Sequence, residues 1–90
     1  MQKRIEKISH ILDTNKAEAI EVFDLRNRDY FTDYVIIATS LGERHTEALL
    51  DHLKKGLKPE EEFLATDVSG EWIVADLGDI LIHIMTSEYR

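Results

Sequence analysis

The chain of 90 residues has no cysteine, one proline and four glycines. Lack of cysteine removes disulfides, thiolate metal sites and cysteine nucleophiles, and suits a reducing cytoplasm. No apolar run approaches the ~20 residues of a membrane-spanning helix. Met1-Gln2-Lys3-Arg4 leads straight into charged, periodic sequence, so no secretion signal is expected. Ninety residues suffice for one domain, 1–90, and leave little room for a second core.

Cations are scarce in the second half. Residues 59–90 carry Arg90 alone against Glu60, Glu61, Glu62, Asp67, Glu71, Asp76, Asp79 and Glu88, and the whole chain has a net charge of −7. Such a surface repels phosphate, so direct nucleic-acid contact is not expected. It favours encounter with a basic protein, although plain solubility explains the same charge.

Periodicity supplies the elements. Ile5, Ile8, Ile11 and Leu12 recur at helical spacing over 2–14. Residues 19–25 alternate as a strand, and the polar segment 26–29 turns the chain. Tyr30 and Phe31 precede a near-continuous apolar run at 33–40, expected as a central strand covered on both faces. A second helix at 43–57 is expected to bury Ala48, Leu49, Leu53 and Leu57, with His45 or His52 beside them. Segments 63–68, 72–77 and 80–86 read as three further strands. The order α-β-β-α-β-β-β predicts an α/β (α+β) fold: a mixed five-stranded sheet with two main helices. Short connections make strands one and two, and strands four and five, antiparallel pairs. The second helix permits a right-handed parallel crossover between strands two and three.

Catalytic chemistry finds little footing. Asp76 and Asp79 flank Leu77-Gly78, and with Asp67 they are the only candidates for a Mg²⁺-dependent transfer site. Leu41-Gly42-Glu43 is a poor phosphate loop, with one glycine and an acid where phosphate would sit. Turn-forming aspartates are the commoner explanation. His10, His45, His52 and His83 lack metal-ligand spacing, and His83 reads first as a hydrogen-bonded structural residue. No serine sits in a nucleophile elbow. No metal and no cofactor are expected.

Trp72 stands out among few aromatics. Core packing explains it; so does an interface anchor, because indole buries much area at little entropic cost. Glu71 adjoins it, and Leu64, Asp67 and Val68 in the preceding strand are expected to extend the patch.

Four blocks in order complete the reading: Asp33-Tyr34-Val35-Ile36 with Ala38-Thr39; Arg44-His45; Trp72-Ile73-Val74 with Asp76-Leu77-Gly78-Asp79; and Ile82-His83-Ile84. Together they resemble the Iojap-like ribosomal silencing factors over about residues 5–90. The resemblance implies a fold like a pared-down nucleotidyltransferase without enzymatic activity. It implies binding to the large ribosomal subunit through its fourteenth protein, blocking subunit joining and repressing translation. It also implies that the surface around Trp72 meets that protein. The chain departs from the family at Ala65-Thr66, where a Glu-Gly pair is usual, and at Gly42, where a serine commonly caps the helix. Relatives continue into an aromatic and leucine-rich tail, and ending at Arg90 is expected to leave sheet surface open to self-association, possible as a homodimer. Arg44 at a helix start invites a specific partner: a structural clamp to Asp33 or Asp76, with His45 alongside, is expected, and contact with the ribosome is the alternative.

Overall fold

A computed structural model describes residues 2–29 and 31–90, so Met1 and Tyr30 lie outside the described residues. The elements are α1 (Gln2–Thr14), β1 (Glu18–Asp24), β2 (Tyr34–Ser40), α2 (Glu43–Leu57), β3 (Ala65–Val68), β4 (Trp72–Asp76) and β5 (Ile80–Thr86). They build the mixed five-stranded sheet expected from the sequence, in the order β1-β2-β5-β4-β3.

The β1–β2 and β4–β5 pairs are antiparallel, as their short connections require. The crossover through α2 does not set β3 beside β2. It carries the chain past two strand positions to the far edge, and the meander β3-β4-β5 then returns until β5 lies parallel to β2. Burial decides the arrangement: β5, with Ile80, Ile82 and Ile84 fully buried, takes the centre, and the exposed β3 takes the rim.

Both helices pack on one side of the sheet. Their buried residues Ile5, Ile8, Leu12, Leu49, Leu50, Leu53 and Leu57 share one core with Ile36, Ala38, Ile73, Ala75, Ile82 and Ile84. The α2 stripe differs from expectation: Thr46 and Leu50 are buried, whereas Ala48 and His52 are exposed. The two helices cross closely, and a Cβ at Gly56 would stand 2.7 Å from the Ile11 side chain.

The expectation that β2 is covered on both faces is corrected. Its tight face carries Tyr34, Ile36 and Ala38, while Val35 and Ile37 on the other side meet no helix and stay half-buried. Two short helices cannot cover both sides of five strands.

Arg4 ties the far ends of the chain together. Its Nε and Nη2 donate to both oxygens of Glu61 at 2.6 and 2.8 Å, and Nη1 and Nη2 donate to both oxygens of Asp79 at 2.6 and 2.9 Å. The planar guanidinium suits such paired forks. The Arg4 side chain remains 32% and that of Asp79 38% exposed, so solvent screens the pair. Arg4→Gln is expected to cost about 1–2 kcal/mol, between the exposed and buried limits for charged hydrogen bonds. Arg4 also holds the Asp79 carboxyl below its ordinary value of 3.8. That stabilisation is present above pH 3.8 and is lost as pH falls toward the lowered native value. Urea melts should therefore separate the two proteins at pH 7 and bring them together in acid.

Candidate functional site

Cross-strand partners point to the same side of a sheet, so the register defines the helix-free face. Three rows cross it: Phe23, Val35, Leu81, Asp76 and Ala65; Glu21, Ile37, His83, Val74 and Asp67; then Glu18, Thr39, Met85 and Trp72. The middle row begins and ends on a carboxylate. Five strands span about 19 Å, and the apolar centre has acids at both edges.

At that centre Trp72 and His83 meet edge to face, with ring centroids 6.3 Å apart and planes at 90°. Tyr89 also packs on the indole, with ring centroids 6.4 Å apart and planes tilted by 37°. Burial pushes the His83 imidazole below its ordinary value of 6.5. No hydrogen bond joins either Trp72 or His83 side chain to another described residue. The expected hydrogen-bonded structural role of His83 is thereby corrected. Arg90 folds back across the end of this face: it ion-pairs with Glu21 and donates to Thr39 Oγ1 at 2.6 Å and to the Ala19 carbonyl at 2.9 Å.

The expected patch around Trp72 divides. Asp67 shares the open face with it. Val68 stands opposite the fully buried Ile73, so its side chain projects to the helix side. Leu64 lies against Gly78 at the other end of β4, four residues and about 13 Å from Trp72. Both are exposed; the two-residue period of a strand turns Val68 away from the indole, and the length of β4 separates Leu64 from it. Glu71 is exposed at the lip of an open cleft of about 560 Å³ formed with Leu41–His45, Thr86 and Glu88.

Arg44 and His45 part company as well. Arg44 is exposed and forms no hydrogen bond or ion pair with another described residue. The expected clamp to Asp33 or Asp76 is corrected, because both acids lie at the opposite end of the sheet, about 20 Å along β2. Arg4, not Arg44, makes the arginine–aspartate clamp, and it does so with Asp79. His45 has a structural task. Its Nδ1 accepts from the Leu41 N–H at 2.8 Å, leaving Nε2–H to donate to the Asn15 carbonyl at 2.7 Å. It pins the α1–β1 turn to the start of α2.

The three aspartates do not assemble into a metal centre. Asp79 is engaged by Arg4, and Asp76 Oδ1 accepts the Gly78 N–H at 2.8 Å within a tight turn where Gly78 takes φ +95°. Asp67 stands one strand away, opposite Val74. Among the described residues no three acidic or histidine side chains are placed to hold a metal ion. No helix of the described residues is long and apolar enough to cross a membrane.

Comparison with known proteins decides the family. A model for "Ribosomal silencing factor during starvation" matches residues 1–90. The chain belongs to this family. A ribosomal silencing factor of Haemophilus influenzae is 33% identical over 91 residues, covering 96% of this chain and 87% of the relative. A mitochondrial Iojap-related protein of Arabidopsis thaliana is 26% identical over 96% of this chain and half of its own length. A Chromobacterium violaceum crystal structure superposes with a TM-score of 0.86 at 25% identity, covering 94% of this chain and 73% of that one. A Bacillus halodurans structure gives 0.89 at 22% identity over 100% and 87%, and likewise has this fold. Membership of the silencing-factor family supports a ribosome-associated silencing role.

Proposed function

We propose that this chain represses translation by occupying the large ribosomal subunit. It docks its helix-free face on the fourteenth protein of that subunit and sterically prevents subunit joining. The carrying observation is the apolar face centred on Trp72 and His83 and bounded by Glu21, Asp67 and Asp76.

Charge favours this occupant. The helices hold six cations (Lys3, Arg4, Lys7, Arg44, Lys54 and Lys55) and five anions, whereas the rest of the chain holds five cations and thirteen anions. The acidity therefore gathers on the sheet and its connections. A basic protein gains from that field, while a second copy of the same acidic face is repelled. Trp72 anchors the contact, with Asp67 and Glu71 steering at its margin. Val68, on the other side of the sheet, and Leu64, at the far end of β4, stand outside this contact.

The mechanism needs no chemical step and takes place in the cytoplasm, where subunits are free to join. Asp79 in its arginine clamp and Asp76 in its turn are engaged structurally, which supports a non-catalytic role.

Co-sedimentation with purified large subunits, followed by addition of small subunits, tests the proposal. The protein should travel with the large subunit and reduce formation of joined ribosomes in proportion to occupancy. Normal joining at saturating protein would overturn it.

A further inference from the structure

We propose that His83 is the polar recognition point of the docking face: its neutral imidazole accepts a hydrogen bond from an N–H donor at the centre of the partner's apolar surface. This rests on the docking reading above and adds the chemistry by which the face selects its partner.

Position comes first. His83 occupies the middle of the middle row, with Ile37 and Val74 as direct cross-strand neighbours and Leu81 and Met85 flanking it along β5. It is the one side chain in that apolar centre with strong hydrogen-bonding nitrogens besides the donor-only Trp72. Its ring is held by the edge-to-face contact with Trp72, yet makes no hydrogen bond to another described residue. A docked partner that covers this face removes water from the imidazole. A buried polar group without a partner is costly, so the incoming surface must supply a matching group.

Charge then selects the kind of match. Asp67 and Asp76 on this face attract a basic surface rich in ammonium, guanidinium and amide N–H donors. An unprotonated ring nitrogen accepts from such a donor, whereas an imidazolium has no acceptor and repels a cation. Both effects have the same sign.

The charged and titratable groups on this face are Asp76 from β4, Asp67 from β3, Glu18 and Glu21 from β1, with Tyr89 and Arg90 from the C-terminal segment at its end; β2 contributes only Val35, Ile37 and Thr39. Glu21 is neutralised by Arg90, and Asp67 lies two strands away. Burial adds to the preference for the neutral ring by lowering the imidazole below its ordinary value. Because the unfolded chain takes up the proton more readily, native stability also declines as pH falls below 6.5. Binding must therefore be compared only where circular dichroism shows the folded state.

The test measures the affinity of wild type, His83→Gln and His83→Phe for purified large subunits from pH 8 to pH 5.5. Glutamine keeps a neutral acceptor without a titrating ring, and phenylalanine keeps an aromatic body without an acceptor. His83→Gln should bind within about threefold of wild type at pH 7.5, and His83→Phe about tenfold more weakly. On acidification wild type should lose up to tenfold per pH unit relative to His83→Gln, the limit for one linked proton. Every other residue and the ribosome are common to all arms, so the ratio isolates His83. Equal pH profiles for wild type and His83→Gln would overturn the proposal, as would undiminished binding by His83→Phe. Failure of wild type to bind at any pH would overturn the docking reading together with this one. Sedimentation of the protein alone completes the set: an acid-sensitive dimer weakened by His83→Phe would assign the face to a second copy and also overturn it.

Discussion

Replacing Trp72 with alanine is expected to weaken association with the large ribosomal subunit by about thirtyfold or more, with the native fold retained. Hot-spot aromatics at interface centres typically carry 2 kcal/mol or more, and 1.4 kcal/mol is tenfold in affinity. Trp72 sits at a strand end, half-buried between His83 and Tyr89, outside the helix-covered core. Its removal exposes Met85 and Val74 without opening a sealed cavity, so the melting temperature should fall by only a few degrees. Equilibrium binding and a thermal melt on the same preparation separate the two effects. Leu64→Ala and Val68→Ala sharpen the comparison. Both remove exposed apolar atoms nearby in sequence, Val68 on the other side of the sheet and Leu64 at the far end of β4, and binding should change less than threefold. Collapse of the Trp72→Ala fold, or equal losses from all three variants, would count against the anchor.

Ile82→Ala should act on the opposite link of the chain, destabilising the fold while leaving the docking face chemically intact. Ile82 is fully buried in the central strand, aligned between Ile36 on β2 and Ala75 on β4. Ladder hydrogen bonds on both sides fix the backbone, which limits collapse into the vacated volume. Ile→Ala truncations in such settings cost 2–5 kcal/mol, and about 3–4 is expected here. A domain of this length has roughly 5–13 kcal/mol of total stability. The variant should therefore melt 12 °C or more below wild type, with a lower urea midpoint. Its remaining folded fraction should bind the large subunit as wild type does. A change below 1 kcal/mol would mean that the core repacks around the gap.

Much of the fold was legible in the sequence because its cues were local. Ile5, Ile8 and Leu12 mark one helix face, and Leu77-Gly78-Asp79 marks a hairpin. Strand neighbours were less accessible, since placing β5 rather than β3 beside β2 depends on which strand buries most. The apolar run at 34–38 does not distinguish a strand covered on both sides from one with an exposed apolar face. Both sides of β2 are apolar, but two helices cover only one, and the surplus Val35 and Ile37 face outward. Val68 is close to Trp72 in sequence, yet strand alternation turns it to the other side of the sheet, and Leu64 lies at the far end of β4. The Arg4–Asp79 clamp joins residues 75 positions apart and has no short-range signature. Arg44, the more conspicuous arginine by position, points at no carboxylate among the described residues.

A sheet that leaves one side bare runs the risk of growing sideways into a polymer, and β1 is built against it. The ladder with β2 slips between Glu18 and Glu21, Ala19 adopts φ +47°, and Arg90 occupies the Ala19 carbonyl. An incoming strand would meet a kinked, acidic template whose register breaks after a few residues. Fibrillar growth along that border is thus discouraged. The molecule can keep a sticky plane available for its ribosomal target without its copies stacking edge against edge.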